Sequence, residues 1–262
     1  DSKGVAQGGP MYFIEVGLGS RWRPLSLMFA VCGMVGCLGL FQINQLATLF
    51  EAQFSISKGL TGVVALLGVG VVILGGIVRV GQVASRLVPA MVLLYLAMAL
   101  FVVVQNFEAI PGLIREILSA AFTGGAVVGG TAGVTVKQAL TTGVQRAAFS
   151  NEAGIGTAAL AHGAAKTREP VREGLVAMLG PFIDTNIVCT LTALVILSTG
   201  VTGANGVALT ALAFESAIPG VGGYLLALVI LLFSFSTMVS YSYYSQKCAK
   251  YLLGEVVGER YI

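Results

Sequence analysis

Long apolar runs, separated by short polar stretches, dominate the hydrophobic pattern of this chain. Six runs stand out, at 26–50, 60–78, 87–104, 119–150, 175–198 and 222–242. About 20 consecutive apolar residues are enough for a helix to cross the hydrocarbon core of a bilayer. The pattern therefore predicts an all-α, polytopic helical membrane protein in which residues 1–262 form a single transmembrane domain of six spans.

The basic residues fall mostly on one side of this arrangement. If Arg21 and Arg23 are cytoplasmic, the alternating spans place Arg79, the basic loop 166–172 and the basic tail after 246 on the same side. The predicted outside segments, 51–59, 105–118 and 199–221, hold Lys58 and Arg115 as their only basic residues. Cytoplasmic loops of membrane proteins carry such an excess of Lys and Arg, which sets the predicted orientation.

Composition agrees with a membrane protein and excludes several functions. Hydrophobic residues make up 56% and charged residues 10% of the chain, and the mean hydropathy is +0.90. The net charge of +3 comes without a basic cluster interleaved with aromatics, so nucleic acid is not an expected partner. The four cysteines lack metal-site spacing and are expected to be reduced, packed thiols. His162 is the only histidine and no G-x-S-x-G elbow occurs, so no catalytic residue is predicted.

The run 119–150 differs from the others because glycines interrupt it. They are Gly124, Gly125, Gly129, Gly130 and Gly133. Each glycine in a helix interior costs about 1 kcal/mol relative to alanine, and an irregular backbone survives at membrane depth only beside protein or a watery cavity. We therefore expect a broken helix that lines the binding site of a secondary transporter. Close packing of small residues between helices is the alternative reading.

Polar residues inside other spans are candidates for binding. Gln42 and Asn44 lie in the first apolar run, where each side chain either forms an interhelical hydrogen bond or, for Gln42 in particular, contacts a polar substrate. Ser236 and Thr237 lie in the last run, where hydroxyls commonly bond back to the preceding turn. Two adjacent hydroxyl oxygens also suit a small hard cation such as sodium.

Two further positions leave alternatives open. Asp184 lies within the run 175–198, where a carboxylate must pair, protonate or meet water; it is expected to pair with Lys137 or Arg146, or else to couple to an ion. The sequence SNEAGIG at 150–156 either caps helices at the cytoplasmic end, with Ser150 or Asn151 as the N-cap, or forms part of a gate.

Several stretches are similar to one family of transporters. They are GGPMYFIEVGLG at 8–19, ILGGIVRVGQVASRLVP at 73–89, FSNEAGIGTAALAHGAAKTREPVREGLVAMLGPFIDTNIVCTLTALVILSTG at 149–200, and FSTMVSYSYYSQKCAKYLLG at 235–254. Together they resemble the alanine or glycine:cation symporter family. The resemblance implies a leucine-transporter-type fold of 5+5 inverted repeats, of which this chain would be a fragment lacking N- and C-terminal helices.

The resemblance also implies a function and a site. The expected activity is symport of a small neutral amino acid, alanine- or glycine-like, with sodium, by alternating access across a prokaryotic inner membrane. It implies a substrate site near the bilayer midplane formed by Gln42, Asn44 and the broken helix, with sodium at Ser236 and Thr237. Family members usually have an aromatic residue where this chain has Thr131, so we expect a larger or more polar pocket. A passive channel, a structural subunit and an intramembrane hydrolase are the alternatives.

Overall fold

The computed structural model is helical throughout the residues that it describes. These are residues 8–123, 152–165 and 167–254, together with positions 140, 141, 144 and 258. No strand occurs in this part of the chain, which agrees with the all-α prediction. The predicted broken helix, with its glycines at 124–133, lies outside the described residues, as do Lys137 and Arg146.

The first half of the chain is a series of helices joined by short turns. They are α1 (Pro10–Leu18), α2 (Arg23–Gly36), α3 (Leu40–Phe54), α4 (Lys58–Ile73), α5 (Gly76–Gln105) and α6 (Ile110–Thr123), with single 3₁₀ turns at Ser20–Trp22 and Phe107–Ala109. The predicted outside segment 105–118 is thus mostly the start of α6. That helix continues into the predicted span 119–150.

The second half is dominated by two long helices. Short helices α7 (Glu152–Ile155) and α8 (Ala158–His162) precede a helix of 30 residues, Pro170–Thr199. This long helix contains α9 (Pro170–Pro181), a π-helical segment (Phe182–Cys189) and α10 (Thr190–Thr199). The short helix α11 (Val207–Ala217) and the 32-residue helix α12 (Gly222–Leu253) follow.

Most of the predicted spans correspond to helices of sufficient length. Within the described ranges, the helical regions long and apolar enough to cross a membrane are Ser20–Phe54, Arg79–Gln105, Pro170–Thr199 and Gly222–Leu253. The predicted span 60–78 corresponds to α4, which has only 16 residues. A helix of this length rises about 24 Å, which is shorter than a typical hydrocarbon core.

The first predicted span is not one continuous helix. The predicted span 26–50 lies within the helical region Ser20–Phe54, but this region is interrupted, because α2 ends at Gly36 and α3 begins at Leu40. The chain turns at Gly39, whose φ of 67° lies in the left-handed region that glycine enters without a steric cost. A Cβ at Gly39 would lie 3.3 Å from Met238 Cγ. The interruption therefore packs closely against α12.

The border between the second and third spans also differs from the prediction. α4 ends at Ile73, where the guanidinium of Arg79 donates to the Val71 carbonyl at 2.9 Å, and α5 begins at Gly76. Positions 79–86, which separate the predicted spans 60–78 and 87–104, are therefore helical. Pro89 is the third residue of the predicted span 87–104 but lies well inside α5. Because proline has no N–H, it removes one hydrogen bond from that helix.

The helix Pro170–Thr199 contains the predicted span 175–198 and widens in its middle. Pro181 ends α9 and the following eight residues, including Asp184, are π-helical. Proline cannot donate to the carbonyl four residues earlier, so the regular hydrogen-bond ladder is already interrupted where the π-helical segment starts. Shorter π-helical insertions, of a single turn, occur often at functional sites.

α12 is the helix around which the others pack. Its first half shares a core with α3, α5, α10 and α11 that includes Leu49, Tyr95, Val195, Phe214 and Leu226. Its second half contributes to a separate group of buried residues that we call the tyrosine cluster: Met11, Ala30, Cys37, Leu160, Tyr241, Tyr243, Tyr244 and Cys248. None of the four cysteines, all of them among the described residues, forms a disulfide bond. Cys37 and Cys248 are packed as predicted, whereas Cys32 and Cys189 are exposed.

Candidate functional site

A cavity of about 380 Å³ lies between the helices that pack on the first half of α12. It is lined by residues of α3, α5, α10, α11 and α12, and of the turn before α11: Phe41, Gln42, Gln45, Tyr95, Thr192, Gly206, Val207, Thr210, Leu226, Val229, Ile230, Phe233, Ser234 and Thr237. Its volume falls in the range of roughly 300–1,000 Å³ that is usual for small-ligand pockets.

Two of the residues predicted from the sequence meet in this cavity. Gln42 lies in the first turn of α3, directly after the interruption at 37–39, and Thr237 lies on α12. The two positions are far apart in the sequence. The helix interruption sets the direction in which α3 starts, and so brings the Gln42 amide beside the hydroxyl-bearing face of α12.

The other two described candidates lie elsewhere. Asn44 is exposed and is absent from the cavity lining; two positions along a helix turn a side chain by about 200° away from Gln42. Ser236 is half-buried, and its hydroxyl donates to the Phe233 carbonyl at 3.0 Å and lies 3.7 Å from Met91 Sδ. Adjacent helical residues differ by about 100° in direction, so Ser236 and Thr237 contact different neighbours.

The remaining predicted substrate residues fall outside the described part of the chain. They are Gly124, Gly125, Gly129, Gly130, Thr131 and Gly133. Their contribution to the cavity therefore stays a prediction.

Several polar side chains of the cavity were not predicted as site residues. Gln45 and Ser234 lie three residues from Gln42 and Thr237 respectively, and helical residues three apart share a face. This spacing is a signal that would have found both. Tyr95, Thr192 and Thr210 come from three other helices, and a single sequence contains no pattern that brings them together.

Hydrogen bonds fix the polar wall of the cavity. The Thr192 hydroxyl donates to the Val188 carbonyl at 2.7 Å, which leaves the Tyr95 hydroxyl to donate to Thr192 Oγ1. Elsewhere in the lining, Gln45 Oε1 accepts from the backbone N–H of Val207 at 3.4 Å. This bond holds the N-terminus of α11 against α3.

The cavity lining contains amides and hydroxyls but no charged side chain among the described residues. Burial of an unpaired charge would be costly, whereas neutral polar groups are satisfied by single hydrogen bonds. The arrangement suits a ligand with no net charge. No group of acidic, histidine and cysteine side chains that could hold a metal occurs in the described ranges.

Asp184 is half-buried on the π-helical segment, away from this cavity lining. The Thr185 hydroxyl lies 3.5 Å from Asp184 Oδ2, and the described residues provide no ion pair to the carboxylate. The predicted partners Lys137 and Arg146 are outside those residues, so their pairing with Asp184 stays a prediction.

Comparison with known proteins identifies the family of this chain. Residues 1–260 match the sodium:alanine symporter family. An uncharacterized transporter of Haemophilus influenzae is 39% identical over 262 residues, which are 97% of this chain and 57% of that protein. The sodium/alanine symporter AgcS of Methanococcus maripaludis is 37% identical over 97% of this chain and 57% of its own length.

A third relative has a different named substrate. The probable sodium/glutamine symporter GlnT of Bacillus subtilis is 34% identical over 92% of this chain and 50% of its own length. The chain thus spans about half the length of the relatives that it matches. The family is one of multi-pass membrane transporters and not of enzymes, as the sequence predicted. Because the match extends over nearly the whole chain, the chain belongs to the sodium:alanine symporter family.

Proposed function

We propose that this chain forms part of a sodium-coupled symporter for a small neutral amino acid, and that the cavity beside α12 receives the substrate. One observation carries the proposal: Gln42 from α3 and Thr237 from α12 line the same cavity. Membership of the sodium:alanine symporter family supports the coupling to sodium.

The lining of the cavity supports a neutral amino acid as substrate. The Gln42 amide can both donate and accept hydrogen bonds, so it can bind either end of a zwitterion. The apolar remainder, including Phe41 and Phe233, suits a side chain without charge. The names of two relatives refer to alanine and to glutamine as the substrate. We propose an alanine- or glycine-like substrate, with glutamine as the next candidate because Thr131 would leave more room.

The helix interruption supports a cation site near the same place. The turn at 37–39 between α2 and α3 lies directly before the cavity residue Gln42, so its backbone carbonyls are near the cavity. Such carbonyls and hydroxyl oxygens are the ligands that sodium prefers. We propose that Thr237 supplies one hydroxyl ligand. Ser236 supplies the second through its oxygen lone pairs, since its proton is directed to the Phe233 carbonyl.

The remaining parts of the proposal concern the whole protein. We propose that the whole protein is a 5+5 inverted-repeat transporter. In it, the glycines at 124–133 would form a second helix interruption that contacts the substrate near the bilayer midplane. The two interruptions would then flank the substrate between them, and alternating access would expose the cavity to each side of the membrane in turn.

The test is uptake of labelled amino acids by the full-length protein in liposomes, with sodium or potassium outside. We expect uptake of alanine or glycine that requires sodium and is lost in the double variant Ser236→Ala with Thr237→Ala. Uptake that is equal in potassium, or unchanged in the double variant, would overturn the sodium assignment. Flux above carrier rates without coupling would instead favour the passive channel.

A further inference from the structure

The tyrosine cluster closes the molecule directly below the cavity. α12 carries Thr237 in the cavity lining and Tyr244 in the cluster, and seven helical residues rise about 10 Å. The cluster lies toward the C-terminal end of α12, which the positive-inside rule assigns to the cytoplasm. In this orientation, the layer lies between the cavity and the cytoplasmic end of α12.

Backbones approach each other closely within this layer. A Cβ at Gly8 would lie 2.4 Å from Gly163 Cα, and a Cβ at Gly33 would lie 2.8 Å from Cys248 Sγ. The segment before α1 thus lies against the end of α8, and α2 lies against α12. The Ser245 hydroxyl also donates to the Met34 carbonyl at 2.8 Å. In this structure the layer is closed.

One acidic side chain, Glu152, enters the layer. It begins α7, and its Oε2 accepts a hydrogen bond from the Tyr244 hydroxyl at 2.9 Å. The titratable groups that face it among the described residues are Cys37 at the end of α2, His162 on α8, and Tyr241 and Tyr244 on α12. No Lys or Arg of the described ranges pairs with it.

The histidine nearby does not neutralise Glu152 by direct pairing. His162 Nδ1 lies 2.6 Å from Glu173 Oε1 on α9, so its nearest carboxylate is a different one. The Glu152 carboxyl is therefore held by a neutral donor in a mostly apolar layer. A buried carboxyl in such surroundings binds a proton more readily than one in water.

The electrostatic surroundings of Glu152 in the closed layer also favour its protonated form. Burial raises the pKa of Glu152 above its ordinary value, and the Tyr244 hydrogen bond and nearby His162 oppose this only in part. If the layer opens and water reaches the carboxyl, its pKa returns toward the ordinary value. The closed layer thus binds the proton more tightly than the open one. Lower pH stabilises closure, and closure weakens as the pH rises through the pKa of the closed form.

We propose that Glu152 is a proton-binding site whose protonation acts as a lock on the cytoplasmic exit of the cavity, with the Tyr244 hydrogen bond setting the pH at which the lock opens. This proposal depends on the proposed transport function in one respect only: the substrate that opening of the lock would release. The proposal is based on the contact between Glu152 and Tyr244 and on its position below the cavity. It is also based on the absence of a basic partner for Glu152 among the described residues.

Two native cysteines make the lock measurable. Cys37 and Cys248 are buried in the tyrosine cluster, with 3% and 0% of their surface exposed, so opening should expose them to a membrane-permeant maleimide. The full-length protein in liposomes would be labelled from about pH 5 to about pH 8, a range that brackets raised carboxyl pKa values, and the modified peptides would be quantified by mass spectrometry. Thiol reactivity itself depends on pH, so each rate is divided by that of Glu152→Gln at the same pH.

We expect this ratio to rise with pH, because glutamine stays neutral and keeps the layer closed. The rise is about tenfold for each unit by which closure raises the pKa. Tyr244→Phe removes the hydrogen bond that lowers the pKa of Glu152, so the midpoint of labelling should move to higher pH. Tyr243→Phe, in the same cluster but without a bond to Glu152, should leave the midpoint unchanged.

A ratio that is constant across the pH range would overturn the lock, as would equal midpoints for Tyr244→Phe and the wild type. Uptake by the same liposomes separates this outcome from failure of the proposed function. Labelling that depends on Glu152 without any sodium-dependent uptake would refute the symporter and leave the lock standing. Uptake with a constant ratio would do the reverse.

Discussion

The two halves of α12 face different surroundings. Around 234–237 the helix borders a cavity with amide and hydroxyl groups and no charged lining residue among those described. Around 241–248 it packs into the tyrosine cluster, where Glu152 and Lys247 are brought into a closed layer. The Lys247 ammonium lies 5.5 Å from the centre of the Tyr243 ring, an arrangement in which the ring face attracts the cation.

This difference separates two tasks along one helix. A neutral polar cavity can bind and release a neutral solute without a large change in solvation energy. A closed apolar layer that holds a carboxyl is instead sensitive to protonation, because burial penalises the charged form. Substitutions in the first region should therefore change affinity and coupling. Substitutions in the second should change how the protein responds to pH.

The largest effect is expected for Gln42→Leu, which keeps the approximate size of the side chain and removes its amide. A hydrogen bond to a charged group contributes about 1.5–3 kcal/mol, so amino-acid affinity should fall by roughly 10- to 100-fold. The measurement is equilibrium binding of labelled alanine to the full-length protein in sodium. Asn44→Leu is the matched control, because Asn44 is exposed on another face of α3. Equal losses in both variants would contradict a role for the cavity.

A smaller effect is expected for Thr237→Val, which removes a hydroxyl without changing the shape of the side chain. The sodium concentration for half-maximal uptake should rise by roughly fivefold to tenfold, the equivalent of about one hydrogen bond. Thr237→Ser should restore most of the response. Ser236→Ala should have a weaker effect than Thr237→Val, since Ser236 already bonds to the Phe233 carbonyl. An unchanged sodium dependence in Thr237→Val would remove this residue from the ion site.

The interruption between α2 and α3 can be tested through stability. Gly39→Ala forces a side chain into the left-handed region and brings its Cβ to 3.3 Å from Met238 Cγ. The free energy of unfolding should fall by about 1–2 kcal/mol. Gly62→Ala, within α4 and with no neighbouring atom within 4 Å, should be stabilising by about 1 kcal/mol at most. Thermal denaturation of the full-length protein in detergent compares the two, and stabilisation by Gly39→Ala would show that the turn is not needed.

The smallest effect concerns the start of α12. Glu215 accepts from the backbone N–H groups of Gly220 at 2.6 Å and Gly223 at 2.8 Å, and these bonds, that from Gly223 first, lower the pKa of its carboxyl. A lowered pKa in the folded state adds stability at neutral pH that is lost as the pH falls through that pKa. Glu215→Gln should therefore lower the melting temperature slightly at neutral pH and have no effect in acid. Glu51→Gln, which breaks an exposed pair with Lys58, is the control and should change stability by about 0–1 kcal/mol.

Much of the architecture follows from the apolar runs alone. Apolar runs of sufficient length predicted the helices that contain 87–104, 175–198 and 222–242. This is because a membrane-spanning helix needs a certain length and few charges, but no particular residue at any one position. The interruption at 37–39 and the start of α5 at Gly76 were missed. Both depend on single glycines with positive φ, and an isolated glycine in an apolar run is equally compatible with close packing.

The candidate site was predicted only in part for a similar reason. Gln42 and Thr237 were identifiable because an amide and a hydroxyl in an apolar run need partners. Tyr95, Thr192 and Thr210 line the cavity because three other helices converge there, and this convergence is a property of the tertiary fold. Glu152 was noted only within a motif. Its bond to Tyr244 joins residues 92 positions apart.

The location of the substrate is the central claim, and cysteine protection tests it most directly. Thr210→Cys places a thiol on α11 in the cavity lining, and Leu212→Cys places one on the same helix where 48% of the side chain is exposed. Alkylation of each would be followed by peptide-resolved mass spectrometry in the full-length protein, with alanine present and with either sodium or potassium. The account predicts that alanine protects Thr210→Cys in sodium but not in potassium, and leaves Leu212→Cys unprotected throughout. Equal alkylation of Thr210→Cys with and without alanine in sodium would contradict it.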